Sequence, residues 1–228
     1  MEHMIMMRLM AVLSGMLLFT SVANAGPSSL VAFDLPTLGL LQTADPARGE
    51  ELASSGKCSK CHGDAGVSDD PEDVNIAGLR ASYIYKQLKD YQDKNRDDKD
   101  MYKKTRDLDD QQMADLAVWF ASQAPASVAA DRNADPAVLK LVFNGDPTRL
   151  LKACASCHGR DGRGGQFDHP ALSGQYPEYF IYTLTEFSED DRTNDVYSRM
   201  RHIAQELTEE EIEALASYYG AAVPEEEE

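Results

Sequence analysis

The chain has few basic residues for its size. It contains 22 lysines and arginines against 39 aspartates and glutamates, which gives a formal net charge of −17 at pH 7. Because proteins bind nucleic acid through clustered lysine and arginine at the phosphates, this deficit argues against a nucleic-acid partner. It argues equally against docking on anionic lipid. The composition predicts an acidic protein that meets basic partners.

Long apolar runs are also lacking after the N-terminus. The longest, residues 9–19, has 11 residues, whereas a membrane-spanning helix needs ~20. Arg8 precedes this run, and small residues at Ala23 and Ala25 follow it. The pattern predicts a cleavable signal peptide over residues 1–25 and export to a bacterial periplasm. An uncleaved membrane anchor is the alternative.

Alternating strand patterns are missing as well, and the apolar residues follow helical spacing, so the fold class is all-α. Two helices are predicted to begin with a capping box, Asp109 with Gln112 and Thr208 with Glu211. Each box is followed by an apolar stripe at i, i+3, i+4 and i+7. The stripes are Met113, Leu116, Ala117 and Phe120 in the first copy, and Ile212, Leu215, Ala216 and Tyr219 in the second.

The sequence repeats itself at an offset of 96, which becomes 99 after a short insertion. Tyr83 falls on Tyr179 and Arg96 on Arg192. The repeat predicts two domains of similar fold. The expected segments are the signal peptide 1–25, a leader 26–43, domain 1 over 44–123, a linker 124–134, domain 2 over 135–222 and an acidic tail 223–228. The leader could pack on domain 1 or contact a partner, and the sequence does not decide between them.

Cysteine is scarce, and every cysteine belongs to a C-x-x-C-H motif. On one helical turn, both thiols face the same side and can form thioethers with one haem, with the histidine below the ring. Two such motifs in register favour haem c over a thioredoxin-like dithiol, a zinc ribbon or plain disulfides. The motif residues are Cys58, Cys61 and His62 in the first copy, and Cys154, Cys157 and His158 in the second.

The second axial ligand of each iron is predicted to be a methionine, Met101 for haem 1 and Met200 for haem 2. Both stand at equivalent places in the repeat, in a stretch that looks like a loop, and His/Met ligation is common in electron carriers. His202 and His169 are the competitors in domain 2, but His202 has no counterpart in domain 1. Met113 lies on an apolar stripe and is interpreted as a core residue.

Two arginines occupy equivalent positions in otherwise acidic loops of the repeat. Arg96 and Arg192 are interpreted either as counter-ions of the haem propionates or as solvated surface residues. The nearby tyrosines are expected to pack in the haem pocket or the core rather than to relay electrons; they are Tyr83, Tyr91, Tyr176 and Tyr179.

The second half resembles the second domain of the cytochrome c4 family, the periplasmic di-haem c-type cytochromes. The likeness rests on the stretch of residues 170–175, PALSGQ, and on Met200-Arg201 before the last helix. The first half is similar but looser. The resemblance implies two tandem class I cytochrome c domains, each a small helical bundle around one covalent haem c, that pack through an interface bearing haem propionates. It also implies a Pro whose carbonyl orients each ligating histidine, and domain 1 has Val74 where domain 2 has Pro170.

The resemblance implies an electron carrier rather than an enzyme. Electrons would arrive from a cytochrome bc complex or a dehydrogenase and leave to a haem–copper terminal oxidase. The alternative is a di-haem enzyme, such as a peroxidase or a thiosulfate dehydrogenase, with one open haem site. A third hypothesis is a subunit of a membrane enzyme held peripherally through residues 26–43.

Overall fold

The computed structural model describes residues 28–127 and 135–221, and this part of the chain is helical, with two isolated β-bridges. The first half contains α1 (Leu35–Thr43), α2 (Pro46–Gly56), α3 (Ser59–His62), α4 (Ala81–Gln92), α5 (Lys99–Thr105) and α6 (Asp110–Ser122). The second half contains α7 (Pro136–Phe143), α8 (Ala155–His158), α9 (Pro177–Ser188), α10 (Arg199–Gln205) and α11 (Glu209–Tyr219). Two 3-10 turns, Pro147–Arg149 and Val196–Ser198, complete the second half.

The helix starts follow local capping chemistry. Asp45 and Asp135 each accept a hydrogen bond from a backbone N–H in the first turn of α2 and α7, and each precedes a proline. Both predicted capping boxes are present, at the start of α6 and of α11. The sequence predictions for α6 and α11 are confirmed.

Each half has its own apolar core built on its last helix. In the first half α2 and α4 pack against α6, and in the second α7 and α9 pack against α11. Met113 is fully buried in the first core, as predicted. The predicted stripes face these cores, with Leu116, Ala117 and Phe120 buried in one, and Ile212, Leu215, Ala216 and Tyr219 in the other.

The leader packs on the first half. Leu40 and Leu41 of α1 lie against the first core, and α1 contacts α4 and α6. Further upstream, the Phe33 ring packs at a tilt against that of Phe167 in the second half, with 5.1 Å between centroids. Of the two possibilities left open by the sequence, the structure shows packing on the first half.

Two predicted segments, the signal peptide 1–25 and the tail 223–228, fall wholly outside the described residues, and most of the linker 124–134 does so as well. Within the described ranges, no helix is long and apolar enough to cross a membrane.

The two halves dock through α4, α9 and the loops on either side of these helices. Gln175 and Asn75 exchange hydrogen bonds across this interface, at 2.9 Å to the Asn75 N–H and 3.0 Å to its carbonyl. The buried Tyr176 hydroxyl donates to the Ser68 carbonyl at 2.7 Å. These bonds fix the mutual orientation of the halves, because each satisfies a buried polar group.

Candidate haem sites

Each C-x-x-C-H motif forms one short helical turn, α3 or α8. All four cysteine thiols are free. The turn ends at Gly63 in the first half and Gly159 in the second, where φ is +70° and +82°. A side chain at Gly63 would collide with the Val67 carbonyl, so only glycine lets the chain fold back under the motif.

The two histidines are held in the same way. His158 Nδ1 lies 2.8 Å from the Pro170 carbonyl oxygen, and His62 Nδ1 lies 3.1 Å from that of Val74. A carbonyl only accepts, so Nδ1 carries the proton and Nε2 presents its lone pair, the arrangement of a metal-bound imidazole. The Val74 carbonyl thus takes the place that the Pro170 carbonyl has in the second half.

Burial keeps these imidazoles neutral. It lowers the pKa of His158 to about 4, although the bond to Pro170 raises it. It also lowers the pKa of His62 against the opposing effect of the Val74 bond. A neutral imidazole is the form that binds a metal. The donor set of each site, two thiols on one turn and one oriented neutral imidazole, therefore fits haem c.

The methionines lie on helices rather than in loops, which corrects that sequence expectation. Met101 is in the first turn of α5, where the Asp98 carboxylate accepts its backbone N–H at 2.8 Å. Met200 is in the first turn of α10. Such short helices form on a single cap or on tertiary contacts and lack apolar periodicity, so the sequence pattern did not show them. Met200 packs against the second core, whereas His202 is exposed.

The other histidine considered for domain 2 lies close to His158. The rings of His169 and His158 are 6.2 Å apart between centroids. His169 Nδ1 lies 2.9 Å from the Gln166 carbonyl and its Nε2 lies 3.1 Å from Arg199 Nη1. These contacts place His169 beside the motif histidine.

The arginines of the repeat are buried, so the interpretation as solvated surface residues is wrong. Arg96 and Arg192 are 9% and 5% exposed, and each guanidinium covers an aromatic ring of its own half, Tyr91 at 4.7 Å and Phe187 at 4.5 Å. Sequence reasoning missed Gln87, whose side-chain oxygen accepts from both arginines. Gln87 belongs to no recognisable motif, and the repeat does not preserve it, since Thr183 stands at the equivalent position of the second half.

A family model described as cytochrome c matches residues 46–124 and 148–219. Cytochrome c4 of Thiocapsa roseopersicina is 36% identical over 78% of this chain and 92% of that protein. The chain belongs to the cytochrome c4 family. A crystal structure of reduced recombinant cytochrome c4 from Pseudomonas stutzeri superimposes with a TM-score of 0.70 at 32% identity, over 78% of this chain and 99% of that one.

A further relative has a different description. The thiosulfate dehydrogenase electron acceptor of Stutzerimonas stutzeri is 29% identical over 79% of this chain and 88% of that protein.

Family membership confirms the fold class and the cofactor. The chain consists of two tandem all-α cytochrome c domains and carries two covalently bound haem c groups. It is a di-haem electron-transfer cytochrome of the c4 type.

Proposed function

We propose that this protein is an exported periplasmic carrier that shuttles electrons between respiratory complexes and catalyses no reaction of its own. The observation that carries the proposal is the equivalence of the two sites. Each motif histidine is oriented by a carbonyl twelve residues further on, and each methionine stands in the first turn of a matching short helix. Because the two sites are built alike, we expect the protein to fill both axial positions on each iron, rather than to leave one position of one iron open to a substrate.

The proposed ligands are those predicted from the sequence. Haem 1 is attached at Cys58 and Cys61 with His62 and Met101 on its iron. Haem 2 is attached at Cys154 and Cys157 with His158 and Met200 on its iron. The packing of Met200 against the second core, beside an exposed His202, supports methionine in that position.

When bound, haem supplies a reversible one-electron iron couple. The chain's own part is to hold the imidazoles neutral and oriented, to bury the centres and to present a docking surface. Met101 and Met200 would hold the iron through their thioethers, a ligand that raises the reduction potential and suits a carrier working with an oxidase.

The charge next to the two motifs differs strongly. Residues 64–73, after the first motif, contain five acidic residues and no basic one, whereas residues 160–169 contain two of each. The exposed Cys61 lines one shallow surface pocket with three acidic residues, Asp69, Asp70 and Asp73, and one basic residue, Lys60. We therefore assign docking of basic partners to the surface beside Cys61, because opposite charges steer encounter.

Candidate donors are a cytochrome bc complex or a dehydrogenase, and the candidate acceptor is a haem–copper oxidase. The likeness to a thiosulfate dehydrogenase electron acceptor favours one specific donor class, a periplasmic enzyme that oxidises thiosulfate. In that case the chain takes electrons from the enzyme and does not itself bind thiosulfate. A di-haem enzyme with one open iron is the competing function.

The deciding experiment is the optical spectrum of the oxidised holoprotein with haem counted per chain. Methionine bound to low-spin ferric haem gives a weak far-red band. We expect two haems per chain and a far-red band with the intensity of two methionine-ligated haems. Met101→Ala and Met200→Ala should each lose half of this intensity. Met113→Leu, the matched control, should lose none. A high-spin signal or half intensity in the native protein contradicts the carrier and favours the enzyme.

The donor is tested by stopped-flow mixing. Rapid reduction of the holoprotein by a thiosulfate dehydrogenase with thiosulfate supports that donor class. Reduction by thiosulfate without that enzyme contradicts the carrier and supports an enzyme.

A further inference from the structure

The carbonyl that orients His62 belongs to a peptide group that makes a second hydrogen bond, to the other domain. His62 Nδ1 lies 3.1 Å from the Val74 carbonyl oxygen. The N–H of the same peptide group is that of Asn75, and it donates to Gln175 Oε1 of domain 2 at 2.9 Å. One planar peptide group therefore connects a side chain of domain 2 to the motif histidine of domain 1.

The orientation of the Gln175 amide is fixed by two hydrogen bonds to the backbone of Asn75. Its Oε1 accepts from the Asn75 N–H, and its Nε2 donates to the Asn75 carbonyl at 3.0 Å. Because a backbone N–H only donates and a carbonyl only accepts, the reversed amide would lose both bonds. Gln175 thus presents its oxygen to the 74–75 peptide group.

This contact is buried and held by further bonds. Asn75 and Gln175 are 4% and 9% exposed. The Asn75 side chain donates from Nδ2 to the Gly174 carbonyl at 3.0 Å, and its Oδ1 accepts from the Ser68 N–H at 2.8 Å. Hydrogen bonds in such a place are electrostatically stronger than in water, and bonds in a row polarise one another.

The bond at one end of the peptide group strengthens the bond at the other end. When the Asn75 N–H donates to Gln175, the Val74 carbonyl oxygen gains negative charge and becomes a better acceptor. A better acceptor for the Nδ1 proton makes the His62 imidazole a more basic ligand. A more basic ligand favours ferric over ferrous iron, so the Gln175 oxygen lowers the reduction potential of haem 1.

The internal repeat does not supply the same bond to the other motif histidine. The offset of 96 places Ala171 at the position of Asn75, and Gln175 itself falls on Leu79 of domain 1. Leu79 is buried in the first core, and a leucine side chain has no atom that accepts a hydrogen bond. The two histidines are oriented alike, but the Gln175 bond serves His62 alone.

We propose that Gln175 of domain 2 is a positioning residue that sets the reduction potential of haem 1 through the 74–75 peptide group and His62. The inference rests on the proposed di-haem function and adds a residue by which one domain adjusts the iron of the other. Because the bond crosses the interface, haem 1 has this adjustment only while the two domains are docked.

The test compares the native holoprotein with Gln175→Met, which removes the amide at nearly constant length and without a change in charge. At fixed potential, the ferrous-to-ferric ratio of haem 1 is expected to rise about threefold, which equals about 28 mV for a one-electron couple. The potential of haem 2 should stay the same. In proton NMR of the ferrous protein, the Nδ1 proton of His62 should move upfield as its bond weakens, whereas that of His158 should not move.

The matched control breaks another hydrogen bond between the domains. Ser82 Oγ donates to the Phe167 carbonyl at 2.9 Å, and Ser82→Ala removes this bond without touching the 74–75 peptide group. It is expected to change neither the potential of haem 1 nor the His62 resonance. An equal shift of haem 1 in this control would assign the effect to a loosened interface and overturn the proposal.

The remaining outcomes separate this proposal from the proposed function. An unchanged potential of haem 1 in Gln175→Met, with two haems and the full far-red band, overturns the proposal and leaves the carrier function intact. Equal shifts of both haems also overturn it. A native holoprotein without the full far-red band contradicts the carrier function instead.

A second variant covers the case in which Gln175→Met does not fold. Gln175→Leu introduces the residue type that the repeat has at position 79, and it also lacks an acceptor. The same upfield movement of the His62 proton and the same rise in the potential of haem 1 are expected. A lowered potential, or a His62 resonance that stays in place, overturns the proposal.

Discussion

Arg96 of domain 1 donates a hydrogen bond to the hydroxyl of Tyr179 in domain 2 at 3.0 Å. Their repeat counterparts make the same bond in the opposite direction, from Arg192 to the Tyr83 hydroxyl at 3.3 Å. The two bonds are related by the internal repeat and cross the same interface. Duplication has thus produced a two-fold arrangement within one chain, as in a symmetric dimer.

This symmetry is broken by an ion pair that only domain 1 supplies. Lys86 and Asp90 are fully buried, and Lys86 Nζ also donates to the Asn194 carbonyl of domain 2 at 2.6 Å. Lys86→Met is expected to lower the free energy of unfolding by about 3–5 kcal/mol, because it leaves the Asp90 charge buried and unpaired. Denaturant unfolding of the holoprotein measures this loss.

The matched control is the double variant Lys86→Met with Asp90→Asn. It removes both charges and should recover most of the stability, since no unpaired charge remains. A double variant as unstable as Lys86→Met alone would show that packing, rather than charge, accounts for the loss.

Asp115 ties α6 to the start of α2. Its carboxylate accepts from Arg48 Nε at 2.7 Å, from the Asp45 backbone N–H at 2.8 Å and from Gln111 Nε2 at 2.9 Å. Asp115→Ala is expected to lower the free energy of unfolding by about 2–3 kcal/mol, as hydrogen bonds to a buried charge are lost. Glu213→Ala, an exposed acidic position on α11, is the control and should have little effect.

The same carboxylate predicts a pH dependence. Burial raises the pKa of Asp115, but the bonds from Arg48, Asp45 and Gln111 outweigh it and lower the pKa below its ordinary value. The contribution of the Asp115 carboxylate to the free energy of unfolding is therefore complete above its pKa in the unfolded chain, about 3.9. It is lost as pH falls through the pKa of the folded protein. Unfolding followed between pH 2 and 7 should show a shallower acid loss in Asp115→Asn. If the free energy of unfolding fell with pH in the same way in the native protein and in Asp115→Asn, this role of Asp115 would be disproved.

The leader fastens one domain to the other through an aromatic pair. The Phe33 ring packs against the Phe167 ring, with 33° between the ring planes. A double-mutant cycle of Phe33→Ala and Phe167→Ala is expected to give a coupling of about 1 kcal/mol in the free energy of unfolding. Additive effects would mean that the rings contribute separately. Leu35→Ala, an exposed leader position, serves as the control.

The acidic loop beside Cys61 should govern association with a basic partner. The triple variant Asp69→Asn, Asp70→Asn, Asp73→Asn is expected to slow electron transfer from a small basic redox protein about threefold to tenfold at low ionic strength, because electrostatic steering is lost. Stopped-flow rates at several salt concentrations should also show a shallower salt dependence.

The matched control neutralises three exposed carboxylates elsewhere: Glu178→Gln, Glu209→Gln and Glu213→Gln. It changes the net charge equally, so an equal loss of rate would assign steering to the whole molecule rather than to the loop. A rate that is indifferent to salt in the native protein would contradict steering altogether.

The sequence by itself determined the haem chemistry and the last helix of each domain. The C-x-x-C-H motif consists of five consecutive residues, and each capping box, at Asp109 and at Thr208, spans four. The geometry of both features therefore follows from local bonding. The repeat then carried every assignment from one half to the other. Local pattern did not show that Met101 and Met200 lie on helices, because seven-residue helices have too few turns for a periodic signal.

The interface was decided only by the tertiary structure. Gln87 meets Arg192 and Asn194 across more than a hundred residues of chain, and the buried Arg96 bonds to Tyr179 of domain 2. In the sequence, an arginine in an acidic loop has the pattern of a solvated residue. Its partners become neighbours only when the two domains dock. The fit of the two folded surfaces brings these donors and acceptors within hydrogen-bond distance, and no spacing along the chain predicts it.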